Sequence, residues 1–250
     1  MSGTRSHALS CLLACLLLLG GIPSAFAAGP IAVPDGAPDT ISTLYGTTSS
    51  DYFGTDVAYD GDVVAVGIPS ITGGRVEIFR RSSTGLVLET TIPSPEGGSF
   101  GAAVDVSGDN LLVGAPNADN GDGKAYFYSH STGAWSLETS SAGIPTRAWR
   151  LGNAVSIEGT TAVIGYSGYA ASRGSVRFWS DLGAGWMETG SATGSTIEKL
   201  GYDVAAANGF IVAGSPSYNS YSGAVRVYAW NGTAWAFGGI RTGYSGDQLG

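Results

Sequence analysis

A glycine-marked repeat of about 49 residues constrains the fold of this chain more than any other feature of its sequence. Each copy opens with an aromatic residue or leucine followed by glycine, and the steps between these glycines are 47, 51, 49 and 49 residues. The opening pairs are Phe53-Gly54, Phe100-Gly101, Leu151-Gly152, Leu200-Gly201 and Leu249-Gly250. A fixed period of this length indicates a repeat architecture in which each copy is one supersecondary unit.

Further landmarks keep the register inside each copy. A second glycine lies 13 residues after the opening one, and a Leu or Trp lies 12 residues after a third glycine that begins an alternating run. These landmarks are Gly67, Gly114, Gly165 and Gly214; Gly74, Gly123, Gly174 and Gly223; and Leu86, Trp135, Trp186 and Trp235. Because the same offsets recur four times, the pattern is very unlikely to be a coincidence.

The residues between these landmarks predict four short antiparallel strands per copy. A polar turn such as Asp60–Asp62 separates the first strand from a continuous apolar run such as Val63–Val66, which indicates burial on both faces. The third strand alternates with period 2, and the fourth surrounds the Leu or Trp. The sequence therefore predicts an all-β fold, a β-propeller of four-stranded antiparallel blades, with the Leu or Trp wedged between blades.

Composition agrees with strands and excludes some classes of partner. Glycine supplies 40 of 250 residues without a collagen period, and glycine disfavours helices. Charged residues make up only 13% and the net charge is −8, so the chain has few cations with which to neutralise phosphates. We therefore expect no nucleic-acid partner.

Residues 1–27 have the pattern of a signal peptide. The apolar run Leu9–Leu19 is followed by Ala25-Phe26-Ala27, which predicts cleavage after Ala27 and a secreted or cell-surface protein. The run is too short to span a membrane, so we expect no stable membrane insertion. An uncleaved anchor, or lipidation at Cys15, is the alternative. Cys11 and Cys15 both lie in this peptide, so the mature chain would contain no cysteine.

The sequence from residue 52 to residue 250 resembles FG-GAP repeats, the blades of integrin α-subunit propellers. The motif is spelled in full by Phe100-Gly101 with Gly114-Ala115-Pro116, whereas Gly165-Tyr166-Ser167 lacks its proline. The resemblance implies protein recognition outside the cell, as in adhesion or matrix contact. The turns between the first and second strands are too short for the integrin calcium loop, so we expect no cofactor.

The repeats divide the chain into three parts: a signal peptide (1–27), an N-terminal segment (28–51) and the propeller repeats (52–250), with units beginning near 53, 100, 151 and 200 and a fifth at 249. Residues 40–46 could supply a strand that closes the ring. Two interpretations stay open: a ring of the four visible blades, or part of a larger ring of about seven, the number that the resemblance implies.

The loops between strands two and three, together with those between blades, predict a binding surface at one face. Aromatic and basic side chains concentrate there and suggest a protein or glycan ligand. The candidate ligand-binding residues are Tyr166, Tyr169, Arg173, Tyr218, Tyr221, Arg147 and Trp149. The alternative is that the aromatic residues only cover the ends of neighbouring blades.

Other candidate sites are weaker. The segment Asn117-x-Asp119-x-Gly121-Asp122 has alternating oxygen donors that could hold calcium, which makes Asp119 and Asp122 weak metal candidates. It lacks the bidentate Glu and suits an ordinary turn, so we expect no metal. Asn231 begins a glycosylation sequon. His130 is the one histidine after the signal peptide and no nucleophile motif accompanies it, so we expect no enzyme. The alternative function is a lectin-like propeller, or an accessory domain of a secreted polysaccharide-active enzyme.

Overall fold

The computed structural model describes residues 44–46, 52–83, 85–143, 149–244 and 246–250. The predicted signal peptide, 1–27, and the first part of the possible closing strand, 40–43, lie outside these ranges. Residues 44–46 are described and are not in a strand. Leu44 packs against apolar side chains of the first sheet.

The described residues form four sheets of four antiparallel strands, each sheet following the order of the chain. We call the sheets blades 1 to 4. Blade 1 contains β1 (Asp56–Asp60), β2 (Val63–Ile68), β3 (Arg75–Ser82) and β4 (Gly85–Pro93), and blade 2 contains β5 (Ala103–Ser107), β6 (Asn110–Ala115), β7 (Lys124–Ser129) and β8 (Ser136–Ala142). Blade 3 contains β9 (Val155–Glu158), β10 (Thr161–Gly165), β11 (Ser175–Asp181) and β12 (Trp186–Thr193), and blade 4 contains β13 (Val204–Ala207), β14 (Phe210–Ser215), β15 (Ala224–Trp230) and β16 (Trp235–Thr242). The predicted four-stranded units are confirmed.

Apolar side chains join each blade to the next. One cluster connects blades 1 and 2 around Phe100, a second connects blades 2 and 3 around Phe127, and a third connects blades 3 and 4 around Phe178. The marker residues Trp135, Trp186 and Trp235 pack into these three clusters in turn, and Leu86 packs into a fourth on the outer side of blade 1. The predicted wedge between blades is therefore confirmed for the three Trp residues, whereas Leu86 has no second blade beside it among the described residues.

The two ends of this array do not pack on each other within the described ranges. Phe210 of blade 4 is 51% exposed, whereas Val63, at the same register in blade 1, is 5% exposed beneath blade 2. No apolar cluster of the described residues joins blade 4 to blade 1. Within these residues the four blades form three interfaces and do not close a ring.

The motif glycines set the spacing between blades. A Cβ placed on Gly114 would lie 2.1 Å from the carbonyl oxygen of Gly152, the opening glycine of the next unit. The same approach is 2.1 Å between Gly67 and Gly101. Because a side chain at either glycine that faces the carbonyl would collide with backbone, only glycine fits at this position. The register glycines of the sequence are thus points where neighbouring blades touch.

Polar side chains of each first strand bridge to the next blade. The Asp56 carboxylate accepts a hydrogen bond from the Val104 backbone N–H at 2.7 Å. One blade further, Asp105 accepts from the Ile157 N–H at 2.7 Å, and it is buried. The first strand is the edge of its sheet, so these carboxylates satisfy N–H groups that no other strand pairs.

Candidate binding surface

Two classes of loop lie side by side at one end of the blades. The Arg150 N–H donates to the carbonyl of Gly121 at 2.9 Å, and the Lys199 N–H donates to that of Ser172 at 2.9 Å. Each bond fastens an interblade loop to the preceding loop between strands two and three. We call this end, formed by residues 52, 69–74, 94–99, 116–123, 149–150, 166–174, 194–199, 216–223 and 243–248 where described, the loop face.

Three of the loops contain a single left-handed turn that the sequence did not predict. The turns are α1 (Ala118–Gly121), α2 (Tyr169–Ser172) and α3 (Tyr218–Tyr221). In each, at least two non-glycine residues have positive φ, for example Ala170 at 49° and Ala171 at 59°. Left-handed backbone costs about 1–2 kcal/mol per residue, so packing and hydrogen bonds must hold each turn in place. The side chains on these loops therefore project from a fixed backbone.

Tyr166 is buried and cannot contact a ligand, so its prediction as a binding residue is wrong. It is 0% exposed and packs against Tyr169 and Trp149, with ring centroids 5.2 and 6.2 Å away. The Arg177 guanidinium lies 5.5 Å from its ring centroid. The cause is its register: Tyr166 directly follows strand β10, where side chains still point into the interface between blades.

Trp149 and Tyr169 combine packing with partial exposure. Their rings meet edge to face at a centroid distance of 4.7 Å, and both side chains are half-buried against the core of blades 2 and 3. The interpretation that loop aromatics cover the ends of blades thus holds for much of this cluster.

The remaining predicted residues differ in exposure. Tyr221 is 54% exposed and Arg173 is exposed, whereas Tyr218 is half-buried. Arg147 lies outside the described residues. The candidate residues left out four large exposed side chains of the loop face: Tyr52, Ile71, Ile197 and Tyr244. Tyr52 occupies the register of Arg150 and Lys199, immediately before the opening pair of its unit, and this shared position was the available signal.

The two weak metal candidates already have other roles. The Asp119 carboxylate lies 3.1 Å from the Lys124 ammonium, which Glu96 also contacts. Burial opposes the charge on Lys124, but these two carboxylates outweigh it and raise its pKa above the ordinary value. Asp122 is buried, and no group of three metal-ligating residues occurs in the described ranges.

Three cations of the loop face carry no ion pair or side-chain hydrogen bond in the described part of the chain. They are Arg150, Arg173 and Lys199, and all three are exposed. Lys199 is held next to Arg173 because its neighbour Leu200 donates to the Arg173 carbonyl at 3.1 Å. The whole chain has 12 basic residues and a net charge of −8, so the loop face of this acidic protein carries three of its few cations unpaired among the described residues.

The loop face also contains two adjoining hollows that share Ile71. One, of about 330 Å³, is lined by Tyr52, Pro69, Ser70 and Arg75 among others. The second, of about 470 Å³, is lined by Asn117, Asn120, Gly121 and Arg150. Concave surface with a few polar groups is typical of binding sites.

The opposite end of the blades holds the other two candidates. His130 Nε2 lies 3.1 Å from Glu89 and its ring packs near Trp135, so this histidine belongs to a local contact. The Asn231 side-chain oxygen accepts hydrogen bonds from Thr233 and from the Ala234 N–H, which closes the turn between β15 and β16. The sequon thus lies on an exposed turn away from the loop face.

Comparison with known proteins gives one family match. Residues 96–128 match the FG-GAP repeat family, over a segment that runs from an interblade loop of the loop face into β7. The search of curated proteins found no match. No helix among the described residues is long and apolar enough to cross a membrane. Residues 96–128 are therefore an FG-GAP repeat, and the four antiparallel sheets are consistent with propeller blades of an FG-GAP protein.

Proposed function

We propose that the chain is an exported, non-enzymatic binding module that recognises a protein partner outside the cell through its loop face. The observation that carries the proposal is the set of side chains that this face leaves uncommitted. Tyr52, Tyr221 and Arg173 stand exposed there. Backbone hydrogen bonds through the loop of residues 194–199 tie the loops of Arg173 and Tyr221 together. Exposed Tyr and Arg on fixed loops supply much of the binding energy at protein interfaces, because little entropy is lost when they bind.

The architecture supports this choice of surface. Blades 2 and 3 are packed against a neighbouring blade on both faces, and each loop is anchored to a rigid strand at both ends. Rigid scaffolds with variable loops are the usual arrangement for recognition. Export is proposed on the signal peptide pattern, and the test is the mature N-terminus, which we expect at Ala28.

The binding test uses the exported chain and pairs of variants matched in chemistry. The labelled protein is applied to an array of extracellular protein domains and to a glycan array. Tyr221→Ala and Arg173→Gln remove loop-face groups. Phe237→Ala and Arg81→Gln remove an exposed aromatic residue and an exposed arginine from strands β16 and β3.

We expect the protein to bind protein domains on the array. Its affinity should fall at least tenfold in Tyr221→Ala and Arg173→Gln and stay unchanged in Phe237→Ala and Arg81→Gln. All four variants should melt within about 2 °C of the wild type. Equal effects of the two pairs would contradict the loop face as the binding surface. Binding to glycans alone would favour the lectin-like alternative, and hydrolysis of a bound glycan would overturn the non-enzymatic assignment.

A further inference from the structure

The larger hollow of the loop face has the chemistry of a site for a single negative group. It draws residues from three units: Ile71 from blade 1, Asn117 and Asn120 from blade 2, and Arg150 from the loop before blade 3. Amide and guanidinium groups together offer several hydrogen-bond donors, and the isoleucine supplies an apolar wall. No motif in the sequence brings these residues together, because they are up to 79 positions apart.

Arg150 is fixed in its backbone and free in its side chain. Its N–H donates to the carbonyl of Gly121, and its φ is 61°, so the direction of the side chain is set by a constrained main chain. Its guanidinium has no hydrogen bond or ion pair with the described residues. Asn117 uses one amide hydrogen, which Nδ2 donates to Ser99 Oγ at 2.8 Å, and its side-chain oxygen and second amide hydrogen bond to no other described residue.

Two carboxylates of the loop face, Glu96 and Asp119, are engaged by Lys124 and pair with no other described cation. Two further exposed cations, Arg173 and Lys199, lie on the loop face. A single negative group that enters the hollow therefore meets hydrogen-bond donors and positive charge. A long polyanion would instead be repelled by the net charge of −8 on the whole chain.

We propose that this hollow binds an aspartate or glutamate side chain of the protein partner, with Arg150 as its main anchor. The inference rests on the proposed function. The planar guanidinium matches a carboxylate through two parallel hydrogen bonds, Asn120 and Asn117 donate to its remaining lone pairs, and Ile71 covers the methylene group beside it. One guanidinium in an otherwise neutral hollow suits one carboxylate better than a sulfated chain, which needs a row of cations.

The test selects ligands from a random 12-residue phage-displayed peptide library on the immobilised full chain. We expect the recovered peptides to be enriched in Asp or Glu, and their affinity to fall 10- to 100-fold on Arg150→Gln. Arg150→Lys keeps the charge but loses the bidentate geometry, so it should retain only part of the affinity. Arg81→Gln is the matched control, since it removes the same charge from strand β3 and should leave binding unchanged.

The outcomes separate this inference from the proposed function. Peptides whose binding is lost with Tyr221→Ala but kept with Arg150→Gln would overturn the carboxylate site and leave the loop face intact. Peptides insensitive to both variants would contradict both. Any of four results would overturn the inference. They are enrichment of neutral or basic peptides, an equal loss of affinity with Arg81→Gln, failure to recover any peptide, and binding of anionic glycans in place of peptides.

Discussion

The substitution Gly114→Ala tests the contact that spaces the blades. The Cβ of an alanine at this position would lie 2.1 Å from the Gly152 carbonyl oxygen. An ordinary contact begins near 3.4 Å, so the two backbones must separate by 3.4 minus 2.1, or about 1.3 Å. Both sides of the contact are main chain, and no flexible side chain can move aside.

The magnitude follows from two opposing effects. Overpacking costs about 1–3 kcal/mol and occasionally more, and a collision between two backbones belongs at the upper end of that range. Gly114 has no positive φ, so alanine also restricts the unfolded chain and returns about 0.4–1 kcal/mol. We expect a net loss of about 2–3 kcal/mol, which for a domain of this size lowers the melting temperature by about 5–10 °C.

The assay is thermal unfolding of the variant beside a matched control. Gly73→Ala makes the same chemical change where φ is also not positive and no atom lies within 4 Å of the new Cβ. This control should melt at or slightly above the wild-type temperature. If Gly114→Ala melted with Gly73→Ala, the close approach would not set the distance between blades, and the reasoning would be refuted.

Three further predictions concern buried polar groups. Asp105→Ala leaves the Ile157 N–H without its acceptor and should lower the free energy of unfolding, measured in urea, by about 2–3 kcal/mol. A decrease below about 0.5 kcal/mol would contradict the role of Asp105 as a bridge between blades. Glu198→Gln breaks a buried ion pair with Arg226 at 2.6 Å and should lower the free energy of unfolding in urea by about 3–5 kcal/mol. An unchanged midpoint of urea unfolding would show that the pair adds nothing to stability. Burial raises the pKa of Asp56, so the folded state holds the proton of this carboxyl more tightly than the unfolded state does. The wild type should therefore gain stability relative to Asp56→Asn as the pH falls from neutral toward 4. A change of the opposite sign would contradict this.

The repeat register predicted the blades because it depends on backbone contacts that only glycine permits. Gly114 and Gly152 are 38 positions apart in the chain, yet each appears at a fixed offset in its unit, so their common role was visible without a structure. The Trp residues between blades, such as Trp186, were predictable because they too recur at a fixed offset in each unit. The blade-bridging carboxylates were not, since Asp56 and Asp105 occupy different offsets in their units.

The surface was harder to predict than the core. Tyr166 looks like a loop residue in the sequence, but its position directly after β10 keeps it in the interface between blades. The left-handed turn at Ala170 and Ala171 has no local signal, because alanine does not favour positive φ and tertiary packing imposes it. The hollow at Arg150 depends on loops from three units, and no single segment of sequence shows that they meet.

Hydrogen–deuterium exchange of the full chain, with and without a partner found on the protein array, shows directly whether the loop face is the binding surface. If the loop face is the binding surface, protection on binding falls on residues 69–74, 116–123, 149–150, 166–174 and 216–223, with the largest change around Arg150 and Tyr221. Protection confined to the turns at the other end of the blades, around Asp109, His130 and Asn231, would contradict the account.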